Sequence, residues 1–239
     1  MKHLLLIAAA ALIPGGAPDP QQTYSVKGTV RIKGEIPKPR KIRMNDVENH
    51  CGKLNKGEVD GDDISADPKG FVKWAFVYVK KGLEGKKFDI PKTPTTIQQQ
   101  GCRYSPHVAG VMVGQDFVMK SGDPILHLPH VAPKNNKEWA FSQGKPGDTK
   151  TKTFAAAEVM VRLICDVHPW MEAWIGVVDH PFHATTEQGG KFEIKGLPPG
   201  TYTLEVWHEH YAPVTQEIEV GAATKPVAFE LSERQSRLR

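Results

Sequence analysis

Cys165, His168 and Met171 place a thiol, an imidazole and a thioether in one short stretch, Cys165-Asp166-Val167-His168-Pro169-Trp170-Met171. Soft sulfur donors beside imidazole favour copper, and a type-1 electron-transfer site takes two His and one Cys in a trigonal plane with a weak axial Met. A second His, from elsewhere in the chain, would complete that set. The residues just before the stretch indicate how it is presented. From Glu158 to Cys165 the side chains alternate, with Val159, Val161, Leu163 and Cys165 on one parity and Met160, Arg162 and Ile164 on the other. This pattern predicts a strand whose end turns the Cys165 sulfur inward, beneath a loop carrying His168 and Met171.

The elements that must hold such a loop also read as strands. Val26, Gly28, Val30 and Ile32 alternate with basic and polar neighbours, and further strand signals lie at Phe71–Lys80, Thr95–Gln100, Val108–Val113, Gln115–Lys120 and Trp174–Val178. A last group comprises Lys191–Lys195, Thr201–Trp207 and Gln216–Val220, with Phe192, Ile194, Tyr202, Leu204, Val206, Ile218 and Val220 on the inward parity. Asn45 to Lys69 is polar and turn-rich and reads as a long loop. No segment shows helical periodicity over three turns, so the expected class is all-β, built as sandwiches.

The chain has 239 residues, 39% of them hydrophobic, with 31 basic against 27 acidic residues, a net charge of +4. That length accommodates one large or two small domains. The basic residues are scattered, with no aromatic-basic signature for nucleic acid. Lys2 and His3 precede an apolar run, Leu4 to Ile13, that breaks at Pro14-Gly15-Gly16-Ala17. Residues 1–17 therefore read as a secretory signal peptide, too short for a membrane span, and the expected location is periplasmic or extracellular. Three cysteines in an exported chain leave one outside any disulfide. With Cys165 set aside as a ligand, Cys51 and Cys102 are a candidate pair, the alternatives being two buried thiols or a metal site combining Cys51 with His50. No Gly-x-Ser-x-Gly elbow, His-Glu-x-x-His pair or phosphate-binding glycine loop is present, so no enzymatic activity is expected.

Thr93 to Asp179 resembles the cupredoxins, most closely those of the amicyanin type. The Cys-x2-His-Pro-aromatic-Met form of Cys165 to Met171 matches their ligand loop. Upstream, Tyr104-Ser105-Pro106, Val111-Met112-Val113-Gly114-Gln115 and the turn Ser121-Gly122-Asp123-Pro124 follow their order. The resemblance implies a Greek-key β-sandwich, one type-1 copper, and His127 as the remaining ligand beside Cys165, His168 and Met171. It also implies Pro169 and Trp170 as a docking surface for a redox partner protein. One departure is Leu128, where such proteins usually carry an Asn that braces the ligand loop.

Thr186 to Ile194 and Leu197-Pro198-Pro199-Gly200-Thr201-Tyr202-Thr203-Leu204 resemble a carboxypeptidase-regulatory-like or transthyretin-like sandwich. That tail is too short to close a sandwich alone, and Tyr24–Gly34 with Phe71–Gly82 resembles its missing half. The expected organisation is therefore a cupredoxin at 93–182 inserted into a second small sandwich made of 23–88 and 183–231, with a basic tail at 232–239; the alternative is two consecutive domains, the first strands belonging to the copper domain. The expected function is an exported single-electron carrier. The alternatives are a polysaccharide- or protein-binding module, of the kind found beside pectin-type lyases and in contact with the cell envelope, holding structural or vestigial copper, or copper trafficking. His180, His183, His208 and His210 are read as structural or exposed, and His107 and His130 as loop or supporting residues.

Overall fold

The structure, a computed structural model, describes residues 22–44 and 50–233, so the expected signal peptide and residues 234–239 of the tail lie outside the described residues. The strand Tyr24–Ile32 pairs antiparallel with Lys191–Leu197 on one side and parallel with Val227–Leu231 on the other. A facing sheet runs in the order His183–Thr185, Phe76–Lys81, Gly200–Trp207, Val214–Val220. Val26, Val30, Ile194, Tyr202, Leu204, Val206 and Phe229 fill the space between these sheets. Both ends of the described chain therefore build one sandwich.

The intervening chain builds the other. Its smaller sheet runs Thr149–Lys152, Phe117–Ser121, Thr95–Gln99, Tyr104–Ser105. Its larger sheet runs Trp139–Ala140, Pro129–Val131, Glu158–Cys165, Glu172–Val178, Val108–Met112. Ile97, Phe117, Met119, Val161, Leu163, Ile175 and Val177 form the core, which extends to Cys165 and Met171. The molecule is all-β, with the second sandwich inserted into the first between the strands Phe76–Lys81 and His183–Thr185.

Within Asn45 to Lys69, expected as a long loop, the described residues depart from that reading, and the chain just before them joins the inserted sandwich. Ile42, Met44 and Cys51 pack into the core of the inserted sandwich, and the segment contains the short helix His50–Asn55. Six residues are too few to sustain a helix alone. This one is fastened to the turn after Gln99 by the Cys51–Cys102 disulfide. The Asn55 amide adds two ties, donating to the carbonyls of Cys51 and Gly101, both at 2.8 Å.

The two sandwiches meet across side chains on the outward faces of their strands. Trp174, Gly176 and Val178 alternate with the core residues Ala173, Ile175 and Val177, so they face outward, beside Val108 of the neighbouring strand. Phe76 and Trp207 from the outer sandwich pack there, and Trp174 lies 5.2 Å from Trp207 between ring centroids. Burial holds the His183 imidazole, which packs against Phe76, down to a pKa of about 4, so it is neutral in this contact.

One buried ion pair crosses the same junction. His107 Nδ1 is 3.0 Å from the Glu172 carbonyl and its Nε2 is 2.5 Å from Glu209 Oε1, while Trp174 Nε1 donates to Glu209 Oε2 at 3.2 Å. Burial lowers the His107 pKa, but the Glu209 bond and charge outweigh it and raise the group above 6.5. Burial acts upward on Glu209, and the bond and charge of His107 outweigh it to hold Glu209 below 4.5. The raised histidine stabilises fully below pH 6.5 and loses that contribution as pH rises through its folded pKa; the depressed carboxylate stabilises fully above 4.5 and loses its share as pH falls through its folded pKa. The pair should therefore contribute most between pH 4.5 and 6.5. Glu209→Ala should cost about 3 kcal/mol there, because it strands a buried imidazole. Denaturant unfolding of the metal-free protein at acid, mildly acid and mildly basic pH checks this; a cost that does not vary with pH would exclude the charged pair.

Candidate metal centre

Three strand ends converge on the site. The inward parity of Glu158–Cys165 delivers Cys165 to the core edge, as it does Leu163 and Val161 one and two steps earlier. His127 is held in register by reciprocal backbone bonds with Gln143, His127 N–H to Gln143 O at 2.8 Å and Gln143 N–H to His127 O at 3.0 Å. His168 and Met171 sit in the turn between Glu158–Cys165 and Glu172–Val178. Two bonds tighten this turn, His168 N–H to Cys165 O at 3.3 Å and Met171 N–H to His168 O at 2.9 Å. His127, Cys165, His168 and Met171 are all buried.

The ligand atoms face one another. His127 Nδ1 and His168 Nδ1 are 3.1 Å apart, and Cys165 Sγ is 3.7 Å from His168 Nδ1. The sulfur and one nitrogen of each imidazole lie within 4.8 Å of one another. His127 Nε2 donates to Asp123 Oδ2 at 3.0 Å, which puts its proton on Nε2 and leaves the Nδ1 lone pair aimed at the other donors. Burial opposes ionisation of Cys165, but its contacts with the His127 and His168 imidazoles and the hydrogen bonds from the backbone N–H groups of Leu128 and Val167 prevail and bring its pKa down to about 6. For His127 the burial effect is downward and is outweighed by Asp123 and Cys165, which raise it. A buried sulfur largely ionised at neutral pH, with two imidazole nitrogens converging on it, fits a soft, thiolate-binding ion such as copper.

Main-chain bonds at Leu128 tie the Cys165–Met171 turn to the His127 segment. Leu128 N–H donates to Cys165 Sγ at 3.4 Å, and the Leu128 carbonyl accepts from Asp166 N–H at 3.1 Å. Pro129 also pairs with Cys165 in the sheet. The ligand loop is thus clasped on the His127 segment whatever side chain stands at 128.

Of the two residues expected to dock a partner, Pro169 is exposed and Trp170 is half-buried. The Trp170 indole N–H donates to the Cys102 carbonyl at 3.2 Å, and its ring lies 5.2 Å from that of His168. Among the described residues, one other buried trio, Cys102, Asp123 and His127, has metal-ligating spacing. Its sulfur is committed to the disulfide with Cys51. The remaining histidines do not gather into a cluster of that kind among the described residues. His130 bonds Asp166 and Glu138, His180 Nε2 bonds the Val79 carbonyl, and His210 pairs with Asp63. Asp123 is a supporting residue to which sequence reading gave no role; its four-residue spacing from His127 was the available signal.

These features define an all-β protein in which one β-sandwich, holding the buried group of His127, Cys165 and His168, is set into a second. Residues 172–232 match the family model of the carboxypeptidase regulatory-like domain. That match starts within Glu172–Val178, a strand that pairs inside the inserted sandwich. No curated protein sequence matches the chain. Among solved structures, the chain is similar to a copper-containing nitrite reductase from Thermus scotoductus SA-01, with 23% identity and a TM-score of 0.35 over 40% of this chain and 24% of that one. It thus spans about a quarter of that enzyme's length. It is also similar to a purple cupredoxin from Nitrosopumilus maritimus, with 20% identity and a TM-score of 0.29 over 35% of this chain and 98% of that one. A reduced amicyanin variant shares 19% identity, with a TM-score of 0.32 over 37% of this chain and 86% of that one. Among the described residues, no helix is long and apolar enough to cross a membrane.

Proposed function

We propose that this chain is an exported type-1 copper protein that carries single electrons between redox partners. The observation that carries the reading is the buried convergence of Cys165 Sγ with one nitrogen each of His127 and His168. When bound, copper would supply reversible one-electron chemistry, with Cys165, His127 and His168 as its in-plane ligands and Met171 as the weak axial donor. The protein's own part is to hold those donors still. Asp123 fixes the His127 ring, the Leu128 amide fixes the sulfur, and burial keeps water from the donor atoms. A frame that needs little rearrangement between oxidation states suits a carrier. Formation of the Cys51–Cys102 disulfide supports export to an oxidising compartment.

The route in and out passes by the exposed apolar residues next to the ligands. Leu126 and Val167 immediately precede His127 and His168, and they are 50% and 39% exposed. With Pro169 they give the carrier an apolar face on which a redox protein could dock while the His168 ring stays covered.

Added Cu(II) should give an intense blue or green thiolate-to-copper charge-transfer band. Val167→Glu should leave that band unchanged while slowing electron self-exchange about tenfold, because a charge on the docking face repels a second copy. Absorption spectra and magnetic-resonance line broadening in mixtures of the oxidised and reduced protein give both readouts. A wild-type protein that stays colourless with one equivalent of bound copper would exclude the type-1 assignment. Normal colour with exchange unaffected by Val167→Glu would reject this docking face.

A further inference from the structure

The disulfide touches the proposed copper centre from two sides. Gly101 N–H and Cys102 N–H donate to the two oxygens of Asp123, at 2.7 and 2.8 Å. Asp123 Oδ2 in turn accepts the His127 Nε2 proton at 3.0 Å. On the other side, the Cys102 carbonyl takes the Trp170 indole N–H at 3.2 Å, placing that ring against His168. One turn thus orients both histidines, His127 through a carboxylate and His168 through an indole packed against it at a tilt of 40°.

That turn has an unfavourable local conformation. Gly101 and Cys102 have φ of 61° and 55°, and at Cys102 this is a region that side-chain-bearing residues seldom occupy. In this shape both amides reach Asp123. What holds it is tertiary: the bond to Cys51, itself buried in the core, and the Asn55 amide on the Gly101 carbonyl. The Cys102 sulfur also belongs to the buried trio with Asp123 and His127, so its chemistry lies next to the non-ligating side of the His127 ring.

We propose that the Cys51–Cys102 disulfide is a redox-sensitive positioning device for the two histidine ligands, so that breaking it loosens the hold on copper. This rests on the copper reading above. The step is ordinary dithiol exchange. A dithiol reductant gives up two electrons and two protons, its own sulfurs join, the Cys51–Cys102 bond breaks and two thiols form. The turn is then free to leave the positive-φ region, the paired amides part from Asp123, and His127 and Trp170 lose their props. A copper carrier reaching a reducing environment would release its metal by this route.

Two variants and one metal-free measurement test this. Cys51→Ser/Cys102→Ser mimics the broken bond without adding thiols that would bind copper themselves. Asp123→Asn keeps the bond and cuts its electrostatic link to His127. Each should weaken Cu(II) binding 10- to 100-fold, the usual effect of losing the group that orients a ligand, and each should alter the Cu(II) electron paramagnetic resonance spectrum. In the metal-free wild type, nitrogen-15 spectra should show His127 protonated on Nε2 when the disulfide is intact. After dithiol reduction they should show a mixture of tautomers, together with a shifted Trp170 indole signal. If the serine variant fails to fold, Asp123→Asn and the metal-free spectra decide. Copper affinity within twofold of wild type in Asp123→Asn, or His127 and Trp170 signals unmoved by reduction, overturns the proposal and leaves the copper reading standing. A wild-type oxidised protein that binds no copper overturns both.

Discussion

Cys165→Ser is expected to abolish the thiolate charge-transfer band and to weaken Cu(II) binding by about 100-fold or more, while the metal-free protein stays folded. The sulfur is buried at the end of Glu158–Cys165, accepts the Leu128 N–H and faces His168 Nδ1 at 3.7 Å. Serine fits the same space and can still accept the Leu128 bond, so the cost to stability should be about 1 kcal/mol, near that of one imperfect hydrogen bond. What it cannot do is ionise. Burial pushes the thiol up, but its contacts with His127, His168 and two backbone amides outweigh that and bring it down to about 6, whereas an alcohol in that position stays neutral at any working pH. Two imidazoles and a thioether remain, a set without the anionic sulfur that gives the site its preference for copper. Titration with Cu(II) followed by absorption, with circular dichroism as the control for folding, measures both halves. Retention of the intense band in Cys165→Ser would show that the colour arises from another sulfur.

The site was more legible than the frame that holds it. Cys165, His168 and Met171 are close in sequence and sit at the end of a clean alternation, so their types and spacing announced a metal loop. His127 was named only through resemblance, because a lone histidine between Leu126 and Leu128 carries no pattern of its own. Asp123 lay in view within Ser121-Gly122-Asp123-Pro124, but a carboxylate in a turn reads equally well as a solvated group until its partners are seen. The strands at Glu158–Cys165, Lys191–Leu197 and Gly200–Trp207 followed their period-two pattern. Thr149–Lys152 did not reveal itself, since its four residues are polar and it is defined by pairing with Phe117–Ser121. Pro129–Val131 begins with a proline, a poor strand signal, and is held by its pairing with the Cys165 strand. The packing of Ile42 and Met44 into the inserted sandwich was hidden by the polar segment around them. Nor does sequence show that the nearby Cys51 is bonded to a partner 51 residues away. The contact between sandwiches did leave a trace, because Phe76-Val77-Tyr78-Val79 and Trp174-Ile175-Gly176-Val177-Val178 are apolar on both parities, the mark of a strand covered on both faces.

That double coverage gives the second large effect: Gly176→Ala should destabilise the protein by about 3 kcal/mol, at the upper end for overpacking, although alanine is normally no worse than glycine in a strand. Gly176 and Gly110 are register partners on adjacent strands, and neither has a positive φ, so backbone freedom is not why glycine stands at either place. Space is the reason. A Cβ at Gly176 would lie 2.4 Å from two carbons of the Phe76 ring, and one at Gly110 would lie 2.2 Å from His183 Nδ1 and 2.7 Å from Phe76. The paired glycines form a slot on the outer face of the larger sheet into which Phe76 of the other sandwich fits. The ring has little room to yield, being fully buried, stacked on Tyr78 at 5.6 Å and set against His183 at 5.5 Å. Phe76→Ala alone should cost about 3–5 kcal/mol through the cavity it leaves. Combined with Gly176→Ala it should cost at least about 1 kcal/mol less than the sum, because the added methyl then occupies vacated space rather than a ring. The copper spectrum should not change in any of the three variants, since Gly176 points away from the core that Ile175 and Val177 share with Cys165. Denaturant unfolding of the single and double variants closes the cycle. Strictly additive costs would mean that the glycines and Phe76 do not meet, and that the two sandwiches are joined some other way.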